Sequence, residues 1–539
     1  MAAMDSYIDR ISVDLPPQAD FFHRGSNSIT PAEYGPFIHR LAGFDALLAS
    51  QDFVILGAPK ERDYRLFGAV TASRSLTYFL AHREHGRFAS VLVYQPEIRR
   101  GETPEEVVCL RGDDWRDLLQ EYANIAAERA GVSVRSAGET VTGYCSWYFS
   151  YAQVSEQEFL ANVRALAEHL SAFSARFVQI DDGYQPFQGD WLERNDRWPR
   201  PLSETATTIR SAGFQPGIWL MPFLASTASN VFRDHPDWVV HDEAGRPLWV
   251  RGWSPAPDDC WACLDATDDR VQQHMRDVVG RFWEWGFRYF KLDGLGFAPQ
   301  RGRRACSNAT GISAFRTGLK VIRNAIPDAT LLGCGGPFLP SLGLVDHARV
   351  GPDTGRTWRA AGLLDESGNV ASTTETPYPS APCLENALHA SLSNWWQYDR
   401  WYRADPDVVM ARDNNTHLTF GEARMSALAA ILCGMVFTSD RLDLMSEERR
   451  RLLTVAAASR IRAARPVLWE KDPWPCAFAG TLDGRSALAL FNFANHPRQW
   501  DIGNLGFSGG AREALRPCDI AGDCFTLPPH DAALLVPIP

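Results

Sequence analysis

Lysine is scarce in this chain: 539 residues carry only four, at positions 60, 291, 320 and 471. The basic side chains are almost all Arg, and a Lys inside a site stands out against that bias. Positive charge is also in deficit. Lys and Arg number 54 against 65 Asp and Glu, a formal net charge of −11. That balance lacks the electrostatic footprint of a general nucleic-acid binder. No run approaches the ~18 consecutive apolar residues of a membrane span. Met1 to Asp20 has neither a basic n-region nor an apolar h-region, so no secretory signal is expected. The 11 Cys are odd in number and scattered, which suits reduced thiols in a cytoplasm better than a disulfide framework. Gly-x-Ser-x-Gly is absent, leaving a serine-elbow hydrolase unsupported. Gly333-Cys334-Gly335-Gly336 lacks the Gly-Lys-Ser/Thr of a phosphate loop. Cys260 and Cys263 form a Cys-x-x-Cys with no second pair at zinc spacing, and His23, His39 and His417 have no partners at ligand or triad spacing. No metal and no other cofactor is expected.

What is present is an ordinary soluble composition, 45% hydrophobic and 22% charged, with an excess of 18 Trp. Flat rings with an N–H edge suit sugar faces as well as core packing. The length calls for two or three domains. Residues 1 to about 135 read as mostly β, with runs at Asp52–Leu56, Leu66–Val70, Leu76–Ala81 and Ser90–Tyr94, then a helix near Asp114–Ala130. From about 140, short apolar runs alternate with amphipathic helices. Eight strands are predicted: Gly143–Phe149, Phe177–Asp182, Gln215–Pro222, Arg288–Asp293, Thr330–Cys334, His347–Pro352, Val408–Asp413 and Val436–Asp440. Helices fall between most of them, and a last one, Glu447–Ile461, follows the eighth. Beyond about 465 the chain turns β-like again, with Ser486–Asn492 as its strongest strand. The expected fold is α/β: a central (β/α)8 TIM barrel (138–462), an N-terminal β-rich domain (1–137) and a small C-terminal β-sandwich (463–539).

In such a barrel the chemistry sits at the C-terminal ends of the strands, and here those ends are acidic. Strand two ends in Asp181-Asp182, strand four in Lys291-Leu292-Asp293, strand six runs to Asp353, and strands seven and eight end in Asp413 and Asp440. Any one Asp there can simply cap the next helix. Several on one face repel, so their pKa values must split or they must bind something. Lys291 and Asp293, two apart on a strand, point the same way. An ammonium beside a carboxylate favours the ionised form a nucleophile needs. Asp353, two strands round, is the candidate proton donor of a two-carboxylate glycosidase. Trp147 and Tyr148 on strand one, Trp191 after Asp181-Asp182, and Trp219 on strand three would supply apolar walls.

At these residues the chain resembles glycoside hydrolase family 36, the α-galactosidases. Val178-Gln179-Ile180-Asp181-Asp182-Gly183-Tyr184-Gln185 is similar to the family's strand-two motif, with Tyr184 where a Trp is frequent. Gly217-Ile218-Trp219-Leu220-Met221-Pro222-Phe223 looks like its third strand. Phe290-Lys291-Leu292-Asp293 matches its nucleophile motif, and Arg349-Val350-Gly351-Pro352-Asp353 its acid/base motif. Asp405-Pro406-Asp407 through Arg412, with Glu422 and Asp440, resembles strands seven and eight. The resemblance spans about 140 to 440. It implies Asp293 as nucleophile and Asp353 as general acid/base of a retaining double displacement on small α-galactosides of the melibiose or raffinose type. It also implies Asp181 and Asp182 on the 4- and 6-hydroxyls of a terminal galactose, Lys291 and Arg349 on other hydroxyls, and Trp191 and Trp219 as walls. Cys334 stands where some members place a carboxylate near the 2-hydroxyl. The N-terminal β region is shorter than the large domain that often supports tetramers, which leaves the oligomeric state open.

The expected partner is a small carbohydrate, with neither nucleic acid nor membrane. Galactosyl transfer, or hydrolysis of an α-N-acetylgalactosaminide or another α-glycoside, would use the same acids. An inactive sugar-binding homologue is the reading from outside enzymology; the presence of both carboxylates argues against it. A metal-dependent barrel hydrolase would need His at strand ends, and none stands there.

Overall fold

The computed structural model describes residues 6–16, 19, 21–24, 47–85, 87–132, 139–250, 260–359, 381–467, 474–516 and 518–538. His39 lies outside them.

The N-terminal segment forms two four-stranded antiparallel sheets. Phe53–Ala58 is buried along its whole length, and Asp63–Ala69 nearly so. Continuous burial explains why these strands read as apolar runs rather than alternating patterns. The helix Trp115–Arg129 begins where the Asp114 carboxylate accepts from the Arg116 amide, and buries Trp115, Leu118, Leu119, Tyr122, Ala123 and Ala126. Tyr122 donates to the Ala69 carbonyl at 2.9 Å and packs against Phe53, Trp396 and Trp401. The Trp401 indole N–H donates to the Ala123 carbonyl at 2.8 Å. Trp395, Trp396 and Trp401 are all buried, the latter two locking this helix to the next layer.

That layer is a closed (β/α)8 barrel. Its parallel strands are Val141–Cys145, Phe177–Ile180, Gln215–Leu220, Tyr289–Leu292, Thr330–Gly333, His347–Arg349, a seventh in two pieces, and Met435–Thr438. Each pairs with the next, and strand eight returns to strand one with Met435 opposite Val141. Strand seven differs from the expected Val408–Asp413. Arg403–Asp405 pairs with strand six, and Val408–Val409 with strand eight. Between the pieces stand Pro406, which has no N–H to give the ladder, and Asp407, whose φ of +78° is left-handed. The other strands start close to where the sequence places them but stop one to four residues earlier. Trp147 and Tyr148 therefore stand in a short helical turn, Trp147–Ser150, and not on strand one as expected.

The helices follow their caps. Ser155, Asp268, Thr310 and Thr419 each accept a backbone N–H of the first turn, the last two in reciprocal capping boxes with Ser313 and Glu422. Phe420–Cys433 is buried almost all round. Its outer face is covered by the C-terminal sheet, where Arg424 grips Asp531 through two 2.9 Å hydrogen bonds. A helix with two partners loses its polar face. The last barrel helix ends at Ala458, and Ile461–Pro466 already belongs to the C-terminal sheet. That β-rich region contains a six-stranded and a two-stranded sheet, with Arg485–Asn492 central. Among the described residues no helix is long and apolar enough to cross a membrane.

Candidate active site

Three of the predicted acids sit immediately beyond their strands. Asp181 and Asp182 follow Ile180, and Asp293 follows Leu292, its amide donating to the Leu220 carbonyl at 2.9 Å. Asp353 lies four residues past Arg349. The barrel brings all of them to one mouth.

Lys291 is the hub of one half. Its ammonium donates to Asp181 Oδ2 at 3.0 Å, with both side chains almost wholly buried. The same oxygen accepts from the Gln179 amide and from the Cys145 thiol at 3.2 Å. Ser146 Oγ accepts the Asp181 amide at 2.9 Å, and Asp182 accepts from Gln185 at 2.5 Å. Burial alone would strip Lys291 of its proton, but Asp181 reverses the sign and the ammonium persists well above its usual range.

Asp293 is held by both oxygens. Oδ2 accepts from the Trp219 indole at 2.9 Å and Oδ1 from the Gly294 amide at 2.7 Å. Burial opposes its ionisation. Lys291, the Trp219 and Gly294 donors and Arg349 together outweigh it and hold the carboxyl below the usual carboxylate range. Gly335, at φ +69°, faces it: a Cβ there would come within 3.9 Å of Oδ1. Trp191 closes edge-on against Trp219, ring centres 5.7 Å apart at 79°. Tyr184 braces the same strand by donating to the Trp219 carbonyl at 3.2 Å. Cys334 is buried beyond strand five, and burial together with the Asp293 charge keeps its thiol protonated.

Arg349 is the hub of the other half. Nε donates to Asp405 at 2.9 Å, and Nη1 reaches Asp353 at 3.0 Å and Asp407 at 2.9 Å. Tyr148 donates its hydroxyl to Asp407, and the Thr354 amide donates there at 2.9 Å. The Asp353 side chain is 46% exposed, lying deep in the mouth yet open to it. Its desolvated surroundings push its pKa up, and Asp293 and Asp181 add to the rise against Arg349 and Lys291. Burial likewise lifts Asp407 to about 6, with Asp353 and Asp405 opposing the relief that Arg349 gives. One acid is thus set low and another high across a common mouth, the condition for a nucleophile and a proton donor.

Trp147 stands half-buried, edge-on to Tyr151 at 5.3 Å. Two expected strand-end acids do other work. Asp413 is a partly exposed residue that accepts from the Ser446 amide and hydroxyl at the start of the last barrel helix. Asp440 is fully buried and receives the Ala411 and Arg412 amides. Asp405 and Asp407 take the place at the mouth that Asp413 was given, because strand seven ends twice, once on each side of Pro406. Cys145 and Gln179 were also missed. Gln179 stands two residues before Asp181, the same parity that singled out Lys291 and Asp293. Among the described residues no group of His, Cys, Asp and Glu is arranged to hold a metal ion.

Residues 141–253 match the Melibiase family model. The α-galactosidase AgaA of Geobacillus stearothermophilus is 25% identical over 147 residues, which cover 26% of this chain and 20% of that protein. The match thus spans about a fifth of that curated relative. The α-galactosidase TtGalA of Thermus thermophilus, solved with p-nitrophenyl α-D-galactopyranoside, shares 27% identity at a TM-score of 0.70 over 89% of this chain and 92% of that one. The solved AgaA structure superposes at a TM-score of 0.63 with 14% identity, covering 98% of this chain and 76% of that one, a likeness of fold. A barrel with flanking β domains, its mouth here lined by carboxylates, is the fold this chain shares with these solved α-galactosidases. The likeness throughout is to α-galactosidases, AgaA among them being a glycoside hydrolase family 36 enzyme.

Proposed function

We propose that this protein is an exo-acting α-galactosidase that cleaves terminal galactose from small α-galactosides with retention of configuration. The observation that carries the reading is the opposite tuning of two carboxyls in one mouth: Asp293 below its usual range between Lys291 and Trp219, Asp353 above it beside Arg349. Asp293 attacks the anomeric carbon, and Asp353 gives its proton to the glycosidic oxygen as the carbon–oxygen bond breaks. The product is a β-linked glycosyl ester. Water then attacks from the opposite face, Asp353 takes its proton, and Asp293 leaves as carboxylate. Asp181 and Asp182 bind galactose hydroxyls, joined by Lys291 and Arg349 nearer the scissile bond and by Cys334 toward the 2-hydroxyl. Trp191, Trp219, Trp147 and Tyr148 wall the sugar. The domains run 1–137, 138–462 and 463–539, and the thiol pattern points to a cytoplasmic setting.

The test is turnover of 4-nitrophenyl α-D-galactoside with azide. Asp293→Ala should lose activity, and azide filling the vacated face should give β-galactosyl azide. Asp353→Ala should keep a slow first step, with azide intercepting the ester to give α-galactosyl azide. Near-normal turnover by Asp293→Ala, or one azide anomer from both variants, overturns the assignment. Release of another sugar in preference to galactose from a panel of 4-nitrophenyl α-glycosides would overturn the substrate.

A further inference from the structure

The opposite end of the barrel holds a feature that the glycosidase chemistry does not use. At the N-terminal ends of strands two to five lies a cavity of about 490 Å³ lined by Arg176, Arg210, Arg288, Trp283, Gln215 and Asp328, among others. Arg176 precedes strand two, Arg288 precedes strand four, and Arg210 comes from the helix Leu202–Ser211. Among the described residues none of these three arginines forms an ion pair, whereas Arg200, Arg233 and Arg281, near them in sequence, each do. They are nevertheless oriented. Arg288 Nη1 donates to the Trp283 and Phe287 carbonyls at 3.0 and 2.8 Å, and its guanidinium lies 3.8 Å over the Trp283 ring. Arg210 lies across Gly286, where a Cβ would come within 2.6 Å of its Nη1, and donates to Thr207 at 3.0 Å. Arg176 rests on the Phe177 ring at 4.9 Å. Partial burial and the charge of Arg210 both depress the pKa of Arg288, so the two cations stand near enough to oppose each other.

Crowded guanidiniums held against apolar and backbone groups, in a chain with a net charge of −11, ask for an anion. Three cations against the single carboxylate of Asp328 leave a surplus of two positive charges in the cavity wall. A phosphate monoester carries about −1.5 to −2 at pH 7 and presents three acceptor oxygens, which guanidinium forks match pairwise. The volume falls within the roughly 300–1,000 Å³ of small-ligand sites. We propose that this cavity is a second, non-catalytic site for a small phosphate ester in solution, at the barrel end opposite the acids.

The test is isothermal titration of the full chain at constant ionic strength with glycerol 3-phosphate, inorganic phosphate and chloride, alongside sedimentation with phosphatidylglycerol vesicles. The expected result is one saturable site for both phosphates and none for chloride. Affinity should weaken about tenfold or more in Arg210→Gln and in Arg288→Gln, the loss of one charge-assisted contact. It should be unchanged in Asp293→Ala, which separates this site from the sugar site. Arg210 is exposed, so its variant should keep the wild-type circular dichroism melt even if the Arg288 variant does not. Absence of a saturable phosphate site, equal affinity in the Arg210 variant, or binding to vesicles without binding to soluble phosphates overturns the proposal.

Discussion

Replacing Asp407 by Asn should move the alkaline limb of kcat/KM toward lower pH. Three carboxylates lean on the single guanidinium of Arg349, at 2.9 Å for Asp405, 2.9 Å for Asp407 and 3.0 Å for Asp353. With all three ionised the cluster would be doubly negative, a balance that opposes the last ionisation among them. Asp353 and Asp407 oxygens touch the same Nη1 and so lie at most about 6 Å apart. At an effective dielectric of about 20, unit charges at ~6 Å repel by roughly 3 kcal/mol, near two pH units. Asp407 is itself lifted to about 6 and shares the local proton with Asp353, so only a part of that, on the order of one unit, is expected to appear. The sign follows from charge. A carboxylate beside Asp353 disfavours its ionised form and raises its pKa; an amide does not, and it leaves Arg349 freer to favour the anion. If Asp353 is the proton donor as proposed, it is then lost at lower pH, and the descending limb reports it. Melibiose is the substrate of choice, because its sugar leaving group needs the proton that a nitrophenolate does not. A limb that stays in place, in a variant whose thermal melt is unchanged, would falsify the charge-sharing account. A uniform loss of kcat/KM at every pH would mean that Asp407 only positions Arg349.

Three further outcomes follow from buried charge. Lys291→Met strands Asp181 and should cost about 3–5 kcal/mol in urea unfolding at neutral pH, with part recovered in the double variant Asp181→Asn/Lys291→Met; a single-variant cost below about 1 kcal/mol would contradict the pairing. Trp219→Phe removes one of the donors that keep Asp293 ionised, so the acid limb of kcat/KM should move to higher pH, and an unshifted limb would assign that hydrogen bond to positioning alone. Asp52, buried at φ +63° with Oδ1 unpartnered, has a carboxyl that burial raises to about 7. Between about pH 4 and 7 the unfolded chain releases this proton while the folded one keeps it, so stability falls as pH rises through that window. Asn tolerates the same backbone, and Asp52→Asn should stabilise by about 1–3 kcal/mol at pH 8 and by nearly nothing at pH 3.5, read from denaturant midpoints.

The features legible in the chain were those set by local period and local chemistry. Most barrel strands are short, largely apolar runs. The helices Asp269–Glu284 and Gly311–Ala325 carry one apolar face and begin at a capping Asp or Thr. Lys291 and Asp293 were found by parity, and parity would have found Gln179 as well. Strand seven was not legible, for a physical reason. Arg403-Ala404-Asp405 is polar at both ends, because Arg403 and Asp405 are buried against Asp399 and Arg349 and not against lipid-like neighbours. A strand stabilised by buried ion pairs carries no apolar signature. The apolar signal lay instead in Val408–Val409 and the residues after it, which drew the strand forward and its terminal acid to Asp413. The same displacement hid the half of the site that surrounds Asp353, the proposed proton donor. Asp405 is opposite Arg349 in the ladder, and Asp407 reaches the same guanidinium only because Pro406 breaks the strand and a left-handed residue turns the chain back. Nearest-neighbour pattern can mark an acid at the end of a strand. It cannot tell one that meets an arginine across the sheet from one that caps a helix, as Asp413 does, since that difference lies in pairing between distant segments.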